Sequence, residues 1–258
     1  AALSKTLKTE KGLDYSANEI CLTNGAKQAI ANAILSLIDV GDEVIMLAPF
    51  WVSYEIAVRF AGGTPVVLDS TVDEDYKVPA SRIAAAITPR TKLLILNSPN
   101  NPTGAVWSEA ELEEIARLVR SHPSMMVLSD EIYEYIVFDA RMASIGTLPG
   151  MRERTIIVNG FSKGFAMTGW RLGFSAAVEP ITRAMVRMQG TVTTGANQFV
   201  QRAAIAALEG PRDEVERMRL RYQARRDMVL AGLRGIPGVR IGAIPATFYA
   251  FPDVSALL

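Results

Sequence analysis

One cysteine and one histidine among 258 residues remove several chemistries at the outset. Cys21, in the apolar run Ile20-Cys-Leu22, reads as core packing and cannot build a disulfide framework. A reducing compartment is therefore compatible, and a cytoplasmic protein is the expectation. A lone His122 leaves metal chemistry to carboxylates, which show no paired motif. The same scarcity argues against a serine hydrolase. Gly160-Phe-Ser-Lys-Gly164 fits the Gly-x-Ser-x-Gly elbow, but that arrangement needs its base after the serine, and His122 precedes Ser162. No Walker loop and no Gly-x-Gly-x-x-Gly occur, so nucleotide binding lacks its usual support. Net charge is missing as well: Lys plus Arg and Asp plus Glu number 27 each, giving no field that favours nucleic acid or an anionic membrane. No apolar run reaches the roughly 18–20 residues needed to span a bilayer. The first ten residues read as an amphipathic helix without the apolar centre of a signal peptide. There is no internal repeat and no low-complexity linker.

What is present is an alternation of strand and helix patterns, which predicts an α/β fold with a mostly parallel sheet. Strands are expected at 20–23, 43–47, 65–68, 91–96, 125–128, 155–158 and 172–177. Helices are expected at 26–38, from Ser53 to the Gly62-Gly63 stop, behind Pro79 to Ile87, and from the Ser108/Glu111 capping box to Arg120. The run 91–96 is continuously apolar, as a strand buried on both faces would be. From Pro180 to Leu233 the pattern is mostly helical with a break at Glu209-Gly-Pro211. Its basic stretch 217–226 reads as a solvated helix face. A domain boundary is expected within the last helix, dividing 1–228 from a smaller unit at 229–258 in which 247–251 is strand-like.

In open α/β sheets ligands lie beyond the carboxyl ends of the strands, and the unusual polar residues fall there repeatedly. Asn24-Gly25 follows one strand and opens a helix, as an ordinary turn or as a phosphate site with free N–H groups. Trp51 follows a second, as core or as a ring face. Asn101 lies in Asn97-Ser-Pro-Asn-Asn-Pro-Thr-Gly104, a loop stiffened by two prolines after a third strand. Asp130 ends a fourth, where a buried carboxylate calls for a cationic partner unless it simply caps a helix. Tyr133 follows three residues later on the same side of a helical turn. Lys163 sits beyond a fifth. An amine there can form an imine with a bound carbonyl, and Arg171, eight residues on, can hold an anion.

Together Ser162-Lys163 with Gly169-Trp-Arg171-Leu-Gly173, the 97–104 loop, Ser129-Asp-Glu-Ile-Tyr133 and Pro49-Phe-Trp51 resemble, in the same order, the landmarks of fold-type I pyridoxal-phosphate aminotransferases of class I. The resemblance covers essentially the whole sequence and is strongest for the bacterial aspartate aminotransferase branch, including aspartate/prephenate-type enzymes. It implies a three-layer α/β/α large domain with the start of a smaller α/β domain. It further implies pyridoxal 5′-phosphate as cofactor, an amino acid and a 2-oxo acid as substrates, and a homodimer. Lys163 would bind the cofactor as an imine and, once released, shuttle the proton. Asp130 would pair with the ring nitrogen, and Asn101 and Tyr133 with the phenolic oxygen. Trp51 would stack on the ring. Ser162, Arg171 and the backbone of Gly25, Ala26 and Lys27 would hold the phosphate.

Two positions depart from the family pattern. Gly160 stands where some relatives carry a second serine, and Thr247 where a glycine is frequent. Both chain ends are expected to lie inside a longer protein, since the N-terminal segment and the C-terminal arginine that the family uses for substrate are missing. The 258 residues alone are then expected to bind cofactor and to transaminate poorly. A lyase on the same scaffold and a cofactor-binding sensor of a transcription regulator share these cofactor residues and stay open as alternatives.

Overall fold

The computed structural model describes all residues 1–258. Seven strands form one sheet: β1 (Ile20–Thr23), β2 (Glu43–Leu47), β3 (Thr64–Leu68), β4 (Thr91–Asn97), β5 (Met126–Asp130), β6 (Thr155–Gly160) and β7 (Gly173–Ala176). Their order across the sheet is β1-β7-β6-β5-β4-β2-β3. β7 runs antiparallel to both its neighbours and all other pairings are parallel. The mostly parallel sheet expected from the alternation is therefore what forms.

Side chains alternate between faces along each strand, and the core divides accordingly. Val44, Met46, Leu93, Ile95, Leu128, Ile156 and Val158 point to one side. There they meet α2 (Ala26–Leu37), α3 (Ser53–Phe60) and α6 (Glu179–Val192) through Ile30, Ile34, Val58 and Met185. On the other side Ile45, Leu94, Leu96 and Val127 pack against α4 (Ala80–Ala86) and α5 (Glu109–Ser121) through Ile83, Leu112, Ile115 and Val119. Ile157 and Phe174 complete that side against α1 (Ala2–Lys11) and α7 (Gln198–Glu209), with Leu7 and Ala204. This is the three-layer α/β/α arrangement. The middles of the central strands, at 93–96, 127–128 and 156–158, are apolar because both faces there are covered by helices.

Proline is tolerated in β3 because that strand is an edge. Thr64 donates its N–H to Asp42 in the direction of β2, so by alternation Pro65 turns its nitrogen outward. Ser108 caps α5, accepting from the Glu111 N–H while the Glu111 carboxylate accepts from the Ser108 N–H, as the capping box requires. The single cysteine, Cys21, is buried, and burial pushes its thiol up to about 11.

Three expectations need correction. The helical run after Pro180 is broken at 193–197 as well as near Gly210, because Thr194 takes a positive φ of 65° and Asn197 caps α7 by accepting from the Phe199 and Val200 N–H groups. Residues 247–251 form no strand. Thr247 has φ 68° and donates its N–H to Ile136 O, so the chain turns. Finally, α8 (Asp213–Arg234) is one continuous helix whose basic stretch is only partly solvated. The Arg226 side chain is 8% exposed. It pairs with Asp139 at 2.6 Å, donates to Ile244 O at 2.6 Å and lies 5.0 Å from the Phe138 ring centroid.

Candidate active site

The order of strands sets the order of chemistry along one end of the sheet. At the β1–β7–β6 side lie the turn after β1, the residues before β7 and the loop after β6. Asp130 and Tyr133 follow β5, Asn101 follows β4, and Trp51 follows β2. Because β7 is antiparallel, its beginning rather than its end falls here, and Thr23 lies opposite Gly173. That is why Arg171, which precedes β7, reaches the turn that follows β1.

A cleft of about 190 Å³ opens at these strand ends, lined by Ala26, Lys27, Trp51, Asn101, Asp130, Tyr133, Ser162, Lys163 and Arg171. All the expected site residues except Gly25 therefore line one space. Gly25 lies behind it as the N-cap of α2, with φ 86° and ψ 161°. A β-carbon at Gly25 would stand 2.5 Å from Arg171 Nη2, so the absent side chain is what admits the guanidinium. Arg171 Nη1 donates to Thr168 O at 2.9 Å and Nη2 to Asn24 O at 3.3 Å. No side chain caps α2. Its first N–H groups and positive dipole end thus face the cleft beside a guanidinium, an arrangement suited to a phosphate.

The backbone comes equally close at Gly173 and Gly160. A side chain at Gly173 would overlap the Ala26 nitrogen, and one at Gly160 would come within 2.9 Å of Gly173 Cα and Leu172 O. A serine at 160 has no room in this packing. The hydroxyl next to the lysine in sequence, that of Ser162, lines the cleft. The loop between β6 and β7 is closed on itself: Phe161 N–H donates to Leu172 O, Met167 N–H to Phe161 O, and Thr168 Oγ1 to Ser162 O.

Lys163 emerges from this loop half-buried, 5.4 Å from the Phe248 ring centroid and 5.9 Å from that of Tyr133. Burial, and then the positive charge of Arg171, hold its amine below the ordinary lysine range. A larger neutral fraction is what a nucleophilic, imine-forming amine needs.

Asp130 is buried, and its two partners are neutral, not the cation expected. Tyr54 Oη donates to Oδ2 at 2.6 Å and the Ile132 N–H donates to Oδ1 at 3.2 Å. Burial pushes the carboxyl up to about 6, against the pull of these two donors. Tyr54 itself is driven well above the usual phenol range, first by burial and then by the Asp130 charge. A positive group entering the cleft at Asp130 would relieve both.

Asn101 is held by its neighbours as much as by proline. Asn97 Oδ1 accepts the Asn101 N–H at 2.7 Å, and Asn97 Nδ2 donates to Pro99 O and Asp130 O. The Asn100 side chain accepts from the Thr103 N–H and hydroxyl. Asn101 Nδ2 then donates to Tyr133 Oη at 3.4 Å. Trp51 packs edge-on against Tyr54, 5.5 Å between ring centroids, and Lys27 Nζ stands 4.8 Å from the Trp51 ring centroid.

Sequence reasoning passed over Tyr54, Asn97, Thr168 and Tyr249, which also line the cleft. Tyr54 follows Trp51 by three residues at the start of a helix, a spacing that shares a face, so its signal was available. Asn97 stood inside a motif already singled out. Tyr249 reaches the cleft only through a contact across the fold, its hydroxyl 2.8 Å from that of Tyr133, which no local pattern carries.

The residues fit pyridoxal phosphate: an imine-competent amine, a carboxylate awaiting a cation, and an uncapped helix start beside an arginine. Comparison with known proteins agrees. Residues 1–257 match the model of the family "Aminotransferase class I and II". This chain belongs to that family. Over 99% of its length it is 44% identical to an aspartate aminotransferase of Pinus pinaster, covering 53% of that protein. It is 43% identical to a bifunctional aspartate aminotransferase and glutamate/aspartate-prephenate aminotransferase of Petunia hybrida, again over 99% of the chain and 54% of the relative. The aspartate aminotransferase of Thermus thermophilus with maleate superposes on the whole chain and on 67% of its own, with a TM-score of 0.96 at 40% identity. The chain spans about half the length of the two curated relatives. The family's cofactor is pyridoxal phosphate.

Proposed function

We propose that the whole protein is a pyridoxal-phosphate-dependent aminotransferase that moves an amino group between an L-amino acid, aspartate or a close relative of it, and a 2-oxo acid such as 2-oxoglutarate. The observation that carries this reading is the convergence of a pKa-lowered Lys163, a buried Asp130 without a cationic partner, and the uncapped start of α2 beside Arg171 in one cleft.

When bound, pyridoxal phosphate supplies an electron sink for negative charge at the substrate α-carbon. The chain supplies the rest. The Asp130 carboxylate accepts the ring N–H and keeps that nitrogen protonated. Asn101 and Tyr133 donate to the phenolic oxygen, and Trp51 covers a ring face. Ser162, Arg171 and the N–H groups of Ala26 and Lys27 hold the phosphate, while the Gly25 N–H is spent on Thr23 O and Gly25 serves by its missing side chain. Lys163 Nζ would hold the cofactor covalently, with release of water, and once freed its amine would move the proton between the substrate α-carbon and the cofactor.

An acidic substrate is supported by Lys27, a basic side chain in the cleft besides Lys163 and Arg171, and by the names of the relatives, one of which carries maleate, a dicarboxylate. We infer further a homodimer, supported by exposed apolar side chains such as Val192 and Phe199 on α6 and α7. A division into a large domain at 1–228 and the beginning of a small one at 229–258 belongs to the same reading. So does a cytoplasmic setting, supported by one buried thiol and the absence of any helix long and apolar enough to cross a membrane.

The test is the full-length protein loaded with pyridoxal phosphate. Lys163→Ala is expected to abolish the visible absorption band that a lysine-bound cofactor gives, and a normal band in that variant would refute the role of Lys163. A panel of acidic, aromatic and aliphatic donors with 2-oxoglutarate then ranks substrates. Failure with every donor would replace transamination by the lyase or sensor reading.

A further inference from the structure

Tyr249 is reached through a strained turn. Thr247 holds φ 68°, a region that is costly for a β-branched residue and free of that cost for glycine. Three contacts fix it there: its N–H donates to Ile136 O at 2.7 Å, Val137 and Ala246 form an antiparallel bridge, and Thr247 Oγ1 accepts the Tyr249 N–H at 3.3 Å. The turn delivers two aromatic rings to the cleft side of Tyr133. Phe248 lies 5.6 Å and Tyr249 5.7 Å from it between centroids, both edge-on. The Tyr249 hydroxyl ends 2.8 Å from the Tyr133 hydroxyl.

The proton count at Tyr133 decides what this contact does. A phenol has one proton and two acceptor sites. Asn101 Nδ2 already donates to one of those sites. If Tyr133 spent its proton on Tyr249, it would have none for the phenolic oxygen of the cofactor. If Tyr249 donates instead, both acceptor sites of Tyr133 are filled and its proton has a single remaining direction, into the cleft. A phenol that accepts hydrogen bonds is also a stronger donor, because the bonds polarise one another.

We infer that Tyr249 is a positioning residue of this site, whose hydroxyl donates to Tyr133 and so aims and strengthens the hydrogen bond that Tyr133 gives to the cofactor's phenolic oxygen. This rests on the cofactor reading above and extends it to a residue in the segment after α8. A stronger bond to that oxygen stabilises its anionic form, which favours loss of the proton from the lysine-bound cofactor. The pH midpoint of the visible band reports that loss directly.

The experiment is a pH titration of the visible band in the full-length holoenzyme for wild type, Tyr249→Phe, Tyr133→Phe and the double variant. Tyr249→Phe keeps the ring and its packing and removes only the hydroxyl. Its midpoint is expected to rise by several tenths of a unit, up to about one unit, the range of one ordinary hydrogen bond. In the Tyr133→Phe background the same change is expected to add nothing, since the effect passes through the Tyr133 oxygen. An unshifted midpoint in Tyr249→Phe overturns the inference, and so does an equal shift in both backgrounds, which would mark a general packing effect. A wild-type protein that takes up no cofactor and shows no band would remove the cofactor reading itself. A normal wild-type band with an unmoved Tyr249→Phe midpoint removes only this extension.

Discussion

Asp130 shows how one buried side chain links proton, cofactor and stability. Its carboxyl is pushed from 3.8 to about 6 by burial, so the folded chain holds that proton more tightly than the unfolded chain does. The stability this contributes is fully present below about pH 4 and is lost as pH rises through about 6. At neutral pH the apo fold therefore carries an ionised carboxylate with only two neutral donors. A protonated ring nitrogen supplies the missing charge, and binding must displace the Asp130 proton wherever it is still present. Cofactor affinity is thus expected to weaken as pH falls through about 6. The cofactor phosphate has its own ionisation near 6, so the comparison is with Asp130→Asn, which keeps the phosphate effect and loses the carboxylate. Titrations between pH 5 and 7.5 should give a steeper dependence for wild type; equal slopes would exclude Asp130 as the ring's partner. Lys163, Asp130 and Arg171 were legible because polar residues of unlike chemistry recur at successive strand ends and stand in the order of a family's landmarks. The neutral partnership with Tyr54 was not, because charge alone suggested a cation.

Among the elements, α2 and β7 depend on each other through glycines. Gly25 occupies a backbone region open in practice only to glycine, at a cost of about 1–3 kcal/mol for any other residue. Its missing β-carbon also makes room for Arg171. Gly25→Ala is expected to cost the apo chain about that much in urea unfolding. It should also weaken cofactor binding tenfold or more, the equivalent of losing one charge-assisted hydrogen bond of roughly 1.5–3 kcal/mol. A loss of stability with unchanged affinity would detach Arg171 from the phosphate. Strand and helix positions were readable from apolar periodicity, since each buried face repeats at its own period. The turn at Thr247 was not: an apolar aromatic run suggests a strand, while a backbone bond to Ile136 from a distant part of the chain imposes a bend. The break before Asn197 escaped for the opposite reason, as a five-residue interruption between two helices of similar pattern.

Across the whole molecule, the segment after α8 is tied back to the sheet's functional end by few but buried contacts. Arg226 carries the central one, joining α8 to Ile244 O and to Asp139. The Phe138 N–H donates to Pro245 O and the Thr247 N–H to Ile136 O alongside it. Arg226→Met keeps most of the apolar stem and removes the donors, leaving the Ile244 carbonyl short of a partner. A loss of about 1–3 kcal/mol is expected. Hydrogen exchange should quicken at the Phe138 and Thr247 amides and stay unchanged in β4. Uniform quickening would mean that the segment is not a separately loosened unit. That the basic stretch of α8 hides such a residue was invisible in its spacing, which alternates as a solvated face does.

Pro65 sets a limit of another kind. A chain seeking to lengthen the sheet at its β3 edge meets an outward-facing row that lacks one donor where every other residue type would offer one. Growth by strand addition meets a gap in its first ladder at that border. That missing donor leaves the β3 edge a poorer template for another chain than an unbroken row would be.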